Sequence, residues 1–146
     1  MTWRLGNVPL PETHLVGLGV GVLLHLLAPW RLAWPGWVGQ ATGWPLLLAG
    51  VGLGAWAVRS AGEVDLVGPD RLVHQGPYGF SRNPMYVAWS LGYLGVALVA
   101  GAVWPLVLLP LVLAATQVVV VREERSLERR FGDAYRSYQA SVRRYL

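Results

Sequence analysis

The chain has 146 residues, of which 54% are hydrophobic and 14% are charged, and its formal net charge is +4. A soluble domain of this length would carry more charge, and the absence of cysteine excludes a disulfide framework and a cysteine-based metal site. We predict no metal. The charges are also segregated, because residues 13–58 carry one charged residue, Arg31, and residues 84–121 carry none. Uncharged runs of this size are typical of membrane-spanning helices, which need about 20 apolar residues.

Four membrane spans fit these runs, at residues 15–29, 41–58, 84–100 and 102–121. The last two share one uncharged run, which as a single helix would be about 57 Å long, well beyond the hydrocarbon core. We therefore predict a helical hairpin that breaks near Gly101. The predicted fold class is all-α, an integral membrane bundle of about four transmembrane helices with a cytoplasmic amphipathic tail.

Two glycine pairs at four-residue spacing lie in the first two spans. They are Gly17 with Gly21 and Gly50 with Gly54. Small residues at this spacing let helix backbones approach closely in lipid. We expect these pairs to pack the first two helices together or to pack a dimer.

The arginines predict the orientation of the bundle. With four spans, both termini, the loop 59–83 and the tail lie on one side, together with every arginine except Arg31. An excess of positive charge marks the cytoplasmic side, so we predict that both termini and the candidate site are cytoplasmic. The same charge predicts contact with anionic membrane lipids, and nucleic acid is not an expected partner. We predict one domain over residues 1–146, with two spans in 1–58, the loop 59–83, the hairpin 84–121 and the tail 122–146.

The loop and the tail differ in character. The loop is polar and rich in glycine and proline, and we predict no helix in it. In the tail, apolar residues recur at helical spacing and predict an amphipathic segment on the membrane surface or folded over the loop; they are Leu127, Phe131, Tyr135, Tyr138 and Val142. Gly132 should interrupt this segment, and Asp133 should cap a second short helix.

The end of the loop carries the first candidate binding residues. Asn83 is a favoured N-cap and Pro84 suits the first helical position, so a helix should begin there with its N-terminus facing the loop. Such a terminus attracts a carboxylate or phosphate, and the preceding residue adds a guanidinium. A glycine-rich turn and two aromatic faces complete the set, which comprises Gly76, Pro77, Gly79, Tyr78, Arg82 and Tyr86. The alternative is a capped helix with an arginine at the membrane surface.

Two adjacent acids, Glu123 and Glu124, follow the fourth span. Acidic side chains at the C-terminal end of a helix interact unfavourably with the helix dipole. One explanation of their presence is that they pair with Arg122 and Arg125. The other is that one acid binds an amine or the ribose hydroxyls of a ligand. The hairpin should place the acids beside the start of the third span, opposite Arg82. A zwitterionic amino acid that carries sugar hydroxyls matches this arrangement, and S-adenosylmethionine is such a molecule.

The segments LVHQGPYGFSRNPMYV and REERSLERRFGDAYRSYQASVRRYL resemble the isoprenylcysteine carboxyl methyltransferase and phospholipid methyltransferase superfamily over residues 43–146. The resemblance implies binding of S-adenosylmethionine without a Rossmann domain and a lipid-like substrate that enters from the membrane. It implies a structural signature in the tail at Phe131, Gly132, Tyr135 and Tyr138. It assigns these residues to cofactor binding: Asp70, Arg71, Leu72, Val73, Gly76, Pro77, Tyr78, Arg82, Asn83, Pro84, Tyr86, Glu123 and Glu124.

Two residues depart from the carboxyl methyltransferase pattern. Asn83 stands where those enzymes carry histidine, and Val119 stands where an arginine would bind the substrate carboxylate. We therefore predict methyl transfer from S-adenosylmethionine to a lipid-like or small hydrophobic acceptor, with Glu123 as the candidate base. The alternatives are a phospholipid or amine N-methyltransferase, a sterol-reductase-like enzyme that uses NADPH, and a membrane scaffold without enzymatic activity.

Overall fold

The computed structural model describes residues 11–62, 64 and 69–146. Over these residues the fold is all-helical, as predicted, and contains five α-helices and a 3₁₀ turn at Gly76–Gly79. The α-helices are α1 (Glu12–Leu27), α2 (Gly36–Ala61), α3 (Pro84–Ala100), α4 (Val103–Phe131) and α5 (Asp133–Ser141). Arg4, which contributed to the predicted orientation, lies outside the described residues, as does part of the predicted loop.

Two of these helices, α2 and α4, are long and apolar enough to cross a membrane, and α1 and α3 are shorter apolar helices. Large apolar side chains point outward along them; Leu27 of α1 is 74% exposed and Leu111 of α4 is 69% exposed. An outward apolar surface on a helical bundle is suited to lipid. The crossing of the membrane by all four helices, and the side on which they end, remain predictions.

The helix boundaries differ from the prediction in the tail. α3 ends at Ala100, the left-handed φ of 62° at Gly101 closes the helix, and the hairpin turns there as expected. α4, however, continues past Val121 to Phe131, so the predicted boundary between hairpin and tail lies within one helix. Residues 122–131 contain good helix formers and neither glycine nor proline, so nothing stops the helix before Gly132.

Two smaller predictions about loop and tail were wrong. The loop is not free of helix, since it contains the 3₁₀ turn. Gly132, with φ of 54°, takes the N-cap position of α5, so Asp133 is its first helical residue and caps nothing. The Asp133 carboxylate instead accepts from Arg136, at 2.6 and 3.1 Å, one turn along the helix.

Glycines allow close packing of the helices, but between pairs that differ from the predicted ones. α1 lies against α4, where Gly17 meets Val112 and Gly21 meets Pro105. α2 lies against α3 over most of its length, and a side chain at Gly50 would come within 2.7 Å of the Ala88 carbonyl oxygen. The first two helices therefore each pack on the hairpin. Small residues bring backbones together as expected, but spacing alone does not identify the partner.

The connections at the end of the bundle away from the loop are joined by backbone hydrogen bonds. Leu32 N donates to Gly101 O and Val103 N donates to Trp30 O, both at 3.0 Å. The Trp104 indole also donates to a carbonyl oxygen at the end of α1, over 2.7 Å. These bonds fix the two inter-helix turns to each other and hold α1 and α2 on the hairpin.

The α2–α3 contact predicts a difference between two glycines of one helix. Gly50→Val should lower the thermal midpoint of the detergent-solubilised protein, because overpacking of a tight site costs about 1–3 kcal/mol. Gly52→Val is the matched control, since no atom lies within 4 Å of a side chain added there. Circular dichroism measures both midpoints, and equal midpoints would contradict the described packing.

Candidate functional site

The 3₁₀ turn Gly76–Gly79 holds the loop against the end of α2 and fixes where α3 begins. Gly76 has a φ of 59°, which favours glycine, and a side chain there would overlap the last turns of α2. Ser81 N donates to Pro77 O at 3.0 Å, and the Ser81 hydroxyl accepts from Asn83 N at 3.2 Å. The predicted turn residues therefore shape the backbone that leads into α3.

α3 begins where the sequence predicts, but its N-cap side chain has another role. Asn83 occupies the N-cap position and Pro84 follows as the first helical residue. The Asn83 side chain makes no capping hydrogen bond, and its Nδ2 donates to Glu124 Oε1 (3.2 Å) and to the Arg144 carbonyl oxygen (3.1 Å). The prediction that the Asn83 side chain caps α3 was wrong, because the buried carboxylate of Glu124 requires hydrogen-bond donors.

That carboxylate, Glu124, is the centre of a buried charged cluster. The residue is 4% exposed. The Arg144 guanidinium donates to its two oxygens over 2.9–3.2 Å, and Arg82 Nη2 lies 3.6 Å from Oε1. With the donor from Asn83, the buried charge is both paired and hydrogen-bonded, as burial requires. Glu124 thereby joins α4 to the start of α3 and to residues 142–146.

The preceding acid, Glu123, faces a different side of α4. Its Oε1 accepts a hydrogen bond from the Tyr86 hydroxyl at 2.8 Å. Glu123 lies beyond the predicted span, and part of its side chain is exposed. The surrounding protein nevertheless raises the pKa of its carboxyl by desolvation, which the hydrogen bond from Tyr86 partly offsets. The adjacent acids therefore have separate surroundings.

A cleft of about 660 Å³, its open mouth included, lies between the loop, the start of α3 and the ends of α4 and α5. The predicted residues that line it are Arg71, Leu72, Val73, Tyr78, Arg82, Asn83, Pro84, Tyr86 and Glu123. The predicted residues that are not part of its lining are Asp70, Gly76, Pro77, Gly79 and Glu124.

Several lining residues were not among the predicted site residues. They are Pro69, Met85, Leu127, Tyr135 and Tyr138. The last three belong to the apolar stripe of the tail, which faces the cleft because α5 folds back over the loop. The Tyr138 hydroxyl donates to the Tyr78 carbonyl oxygen at 2.7 Å and fixes this position. The apolar stripe of the tail was therefore the sequence signal that could have identified these lining residues. Of the two locations predicted for the stripe, the one over the loop agrees with the structure.

The polar groups of the cleft suit a zwitterionic ligand. The Arg82 side chain is 10% exposed, and its buried Nε has no hydrogen-bond partner within the described part of the chain. A buried unpaired donor is rare in proteins, and a bound acceptor would satisfy it. Burial raises the pKa of Tyr135 to about 12, with Glu124 adding to the shift and Arg82 opposing it. Tyr135 is thus a neutral hydroxyl at physiological pH, and Glu123 is the carboxylate of the lining.

A second cavity, which we call the groove, lies between α3 and α4 and holds about 910 Å³ with its open mouth included. Tyr86 lines both the cleft and the groove. Away from Tyr86 the lining changes from polar to leucine-rich along both helices. The lining residues are Tyr86, Val87, Ser90, Leu91, Leu94, Leu109, Leu113, Thr116, Gln117 and Tyr145.

Polar residues of α1 support the wall of the groove from behind. His14 is 1% exposed, and its Nε2 lies 3.0 Å from Ser90 Oγ. The Ser90 hydroxyl donates to the Tyr86 carbonyl oxygen (2.8 Å), and the Thr13 and Thr116 hydroxyls are 2.7 Å apart. These buried polar groups satisfy one another, which fixes the orientation of the two hydroxyls in the groove.

Comparison with protein families identifies a match over most of the chain. The family model described as phospholipid methyltransferase matches residues 38–134, which include most of α2, the 3₁₀ turn, α3 and α4. The match covers the loop, the start of α3 and both acids. No curated protein and no solved structure matches the chain.

The cluster around Glu124 predicts that the two adjacent acids differ in their contribution to stability. Glu124→Gln should lower the free energy of unfolding by about 3 kcal/mol, because it leaves a buried guanidinium without its counter-charge. Glu123→Gln, the matched control, should cost less than about 1 kcal/mol, since Glu123 has no ion pair among the described residues. Denaturant unfolding in detergent measures both, and a larger loss for Glu123→Gln would refute the assignment.

Proposed function

The chain belongs to the phospholipid methyltransferase family, and we propose that it transfers a methyl group from S-adenosylmethionine to a lipid-like acceptor at the membrane surface. The observation that carries this proposal is the position of Tyr86. This residue lines both the polar cleft and the apolar groove. A polar methyl donor in the first and an amphiphile in the second would therefore meet at its side chain.

The residues of the cleft fit the cofactor. The unpaired Nε of Arg82 would bind the carboxylate of its methionine portion, and Glu123 would bind its amine. Tyr78 and Tyr138 offer aromatic faces with polar tips, which suit the nucleoside. When bound, S-adenosylmethionine supplies a methyl group on a sulfonium sulfur that leaves as a neutral thioether.

The protein would act mainly by positioning and by excluding water. Two reactants held in the correct geometry react as if at very high concentration, and the leucines of the groove would keep water from the acceptor side. An amine acceptor reacts through its unprotonated nitrogen. Glu123 is the candidate to accept the proton that such a nitrogen must lose, because its carboxylate lines the cleft beside Tyr86.

Of the two acceptor classes in the superfamily, the groove favours an amine over a carboxylate. The described residues that line the groove include hydroxyls and an amide but no charged side chain. A carboxylate acceptor would have no cationic partner there, and Val119 stands where a carboxylate-binding arginine would be expected. An amine nitrogen is neutral when it reacts, so the reacting atom needs no such partner. We therefore propose a lipid amine as the acceptor.

We also propose that the four helices α1 to α4 cross the membrane and that the cleft opens to the cytoplasm. The cleft lies at the end of the bundle that carries Arg71, Arg82 and the arginines of the tail. The opposite end carries Arg31. This distribution follows the positive-inside rule.

Cofactor binding distinguishes the proposal from its alternatives. S-adenosylhomocysteine should bind the detergent-purified protein in isothermal titration calorimetry, and Glu123→Gln should weaken the affinity about tenfold, since a charge-assisted hydrogen bond is worth about 1.5–3 kcal/mol. The matched control is Glu128→Gln on the same helix, outside the cleft lining. Binding of NADPH in its place would favour a reductase, and binding of neither nucleotide would favour a scaffold.

The groove should affect methyl transfer but not cofactor affinity. Leu113→Trp fills part of the groove. It should lower the rate of radiolabelled methyl transfer to phosphatidylethanolamine in mixed micelles by about tenfold or more, which corresponds to an activation free energy higher by about 1.4 kcal/mol. Its affinity for S-adenosylhomocysteine should not change. Leu111→Trp, two residues away on the outer surface of α4, is the control. Equal activity of the two variants would argue against the groove as the acceptor site.

A further inference from the structure

Residues 142–146, which we call the return segment, run from the end of α5 back to the hairpin and are held there at several points. Arg82 N donates to the Arg143 carbonyl oxygen at 2.9 Å, and Asn83 Nδ2 donates to the Arg144 carbonyl oxygen at 3.1 Å. The Arg144 guanidinium pairs with the buried Glu124 over 2.9–3.2 Å. The return segment is therefore fixed at Arg143 and Arg144, immediately before Tyr145.

This attachment places Tyr145 in the wall of the groove. Its hydroxyl donates to Gln117 Oε1 at 2.5 Å, and the residue lines the groove together with Tyr86. Each other described residue of the lining belongs to α3 or α4. Tyr145 therefore lines the polar end of the groove from the return segment. This segment lies outside residues 38–134, which the family model matches.

We propose that Tyr145 determines which acceptor headgroups are accepted, by limiting the space beside Tyr86 where donor and acceptor meet. This inference rests on the proposed function. The groove is polar at Tyr86, Gln117 and Tyr145 and apolar farther along, so an amphiphile would place its headgroup at Tyr145. A ring held by a hydrogen bond and by a fixed backbone forms a rigid boundary, and a rigid boundary discriminates by size.

The expected discrimination is among amines that differ by single methyl groups. One methyl group more or less against a close-fitting wall changes kcat/KM by about tenfold or more. The wild-type protein should therefore prefer phosphatidylethanolamine to its N,N-dimethyl form. Tyr145→Ala removes the boundary and should shift the ratio of the two kcat/KM values toward the dimethyl form by about tenfold. Tyr145→Phe keeps the ring and should keep most of the wild-type preference.

The experiment measures initial rates of radiolabelled methyl transfer to phosphatidylethanolamine and to its N-methyl and N,N-dimethyl forms, at equal mole fractions in mixed micelles. Wild type, Tyr145→Ala, Tyr145→Phe and Leu146→Ala are compared, the last altering an exposed neighbour. The affinity for S-adenosylhomocysteine is measured for each variant. An unchanged affinity in Tyr145→Ala shows that the cleft remains folded.

The outcomes separate this inference from the proposed function. A changed ratio in Tyr145→Ala, with the wild-type preference kept in Leu146→Ala, supports the role of Tyr145. An equal loss of rate on all three lipids would mean that Tyr145 only holds the return segment, and it would overturn the inference while methyl transfer stands. A wild-type protein that binds no S-adenosylhomocysteine or methylates none of the lipids would overturn the proposed function, and this inference with it.

Discussion

The arrangement of both cavities depends on one buried carboxylate. Glu124 is nearly inaccessible to solvent and is paired with Arg82 and Arg144, while Asn83 donates a further hydrogen bond to it. These partners come from three parts of the chain, the loop end, the start of α3 and the return segment. A buried charge is tolerated only when its partners are in place, so the cluster fixes the relative positions of these parts. The cleft and the groove then form on either side of Tyr86.

The division of roles between the two acids follows from helix geometry. Consecutive residues of an α-helix point about 100° apart, so Glu123 cannot share the surroundings of Glu124. Glu124 enters the interior and stabilises the fold, whereas Glu123 faces the cleft beside Tyr86 and remains available to a ligand. An acidic pair at the end of a helix thus combines a structural carboxylate with a candidate functional one. Sequence alone assigned both acids to the cofactor.

Local patterns predicted the parts of this protein that local physics determines. Uncharged runs located the helices, Gly101 located the hairpin turn, and Asn83 with Pro84 located the start of α3. The pairing of Arg144 with Glu124 was not predictable, because it depends on the path of the return segment, which no periodicity encodes. The return of α5 over the cleft, fixed by Tyr138, was left open for the same reason. The continuation of α4 to Phe131 was predictable from the absence of a helix breaker, and a change in polarity was mistaken for a boundary.

We propose that the cofactor occupies the cleft and that its reactive end lies beside Tyr86. An experimental structure of the complex with S-adenosylhomocysteine tests this most directly. We predict that the ligand carboxylate lies within hydrogen-bond distance of Arg82 Nε and the ligand amine within that distance of Glu123. The ligand sulfur should lie at the passage between cleft and groove. A ligand bound outside the cleft, or bound within it with its sulfur directed away from Tyr86, would contradict the account.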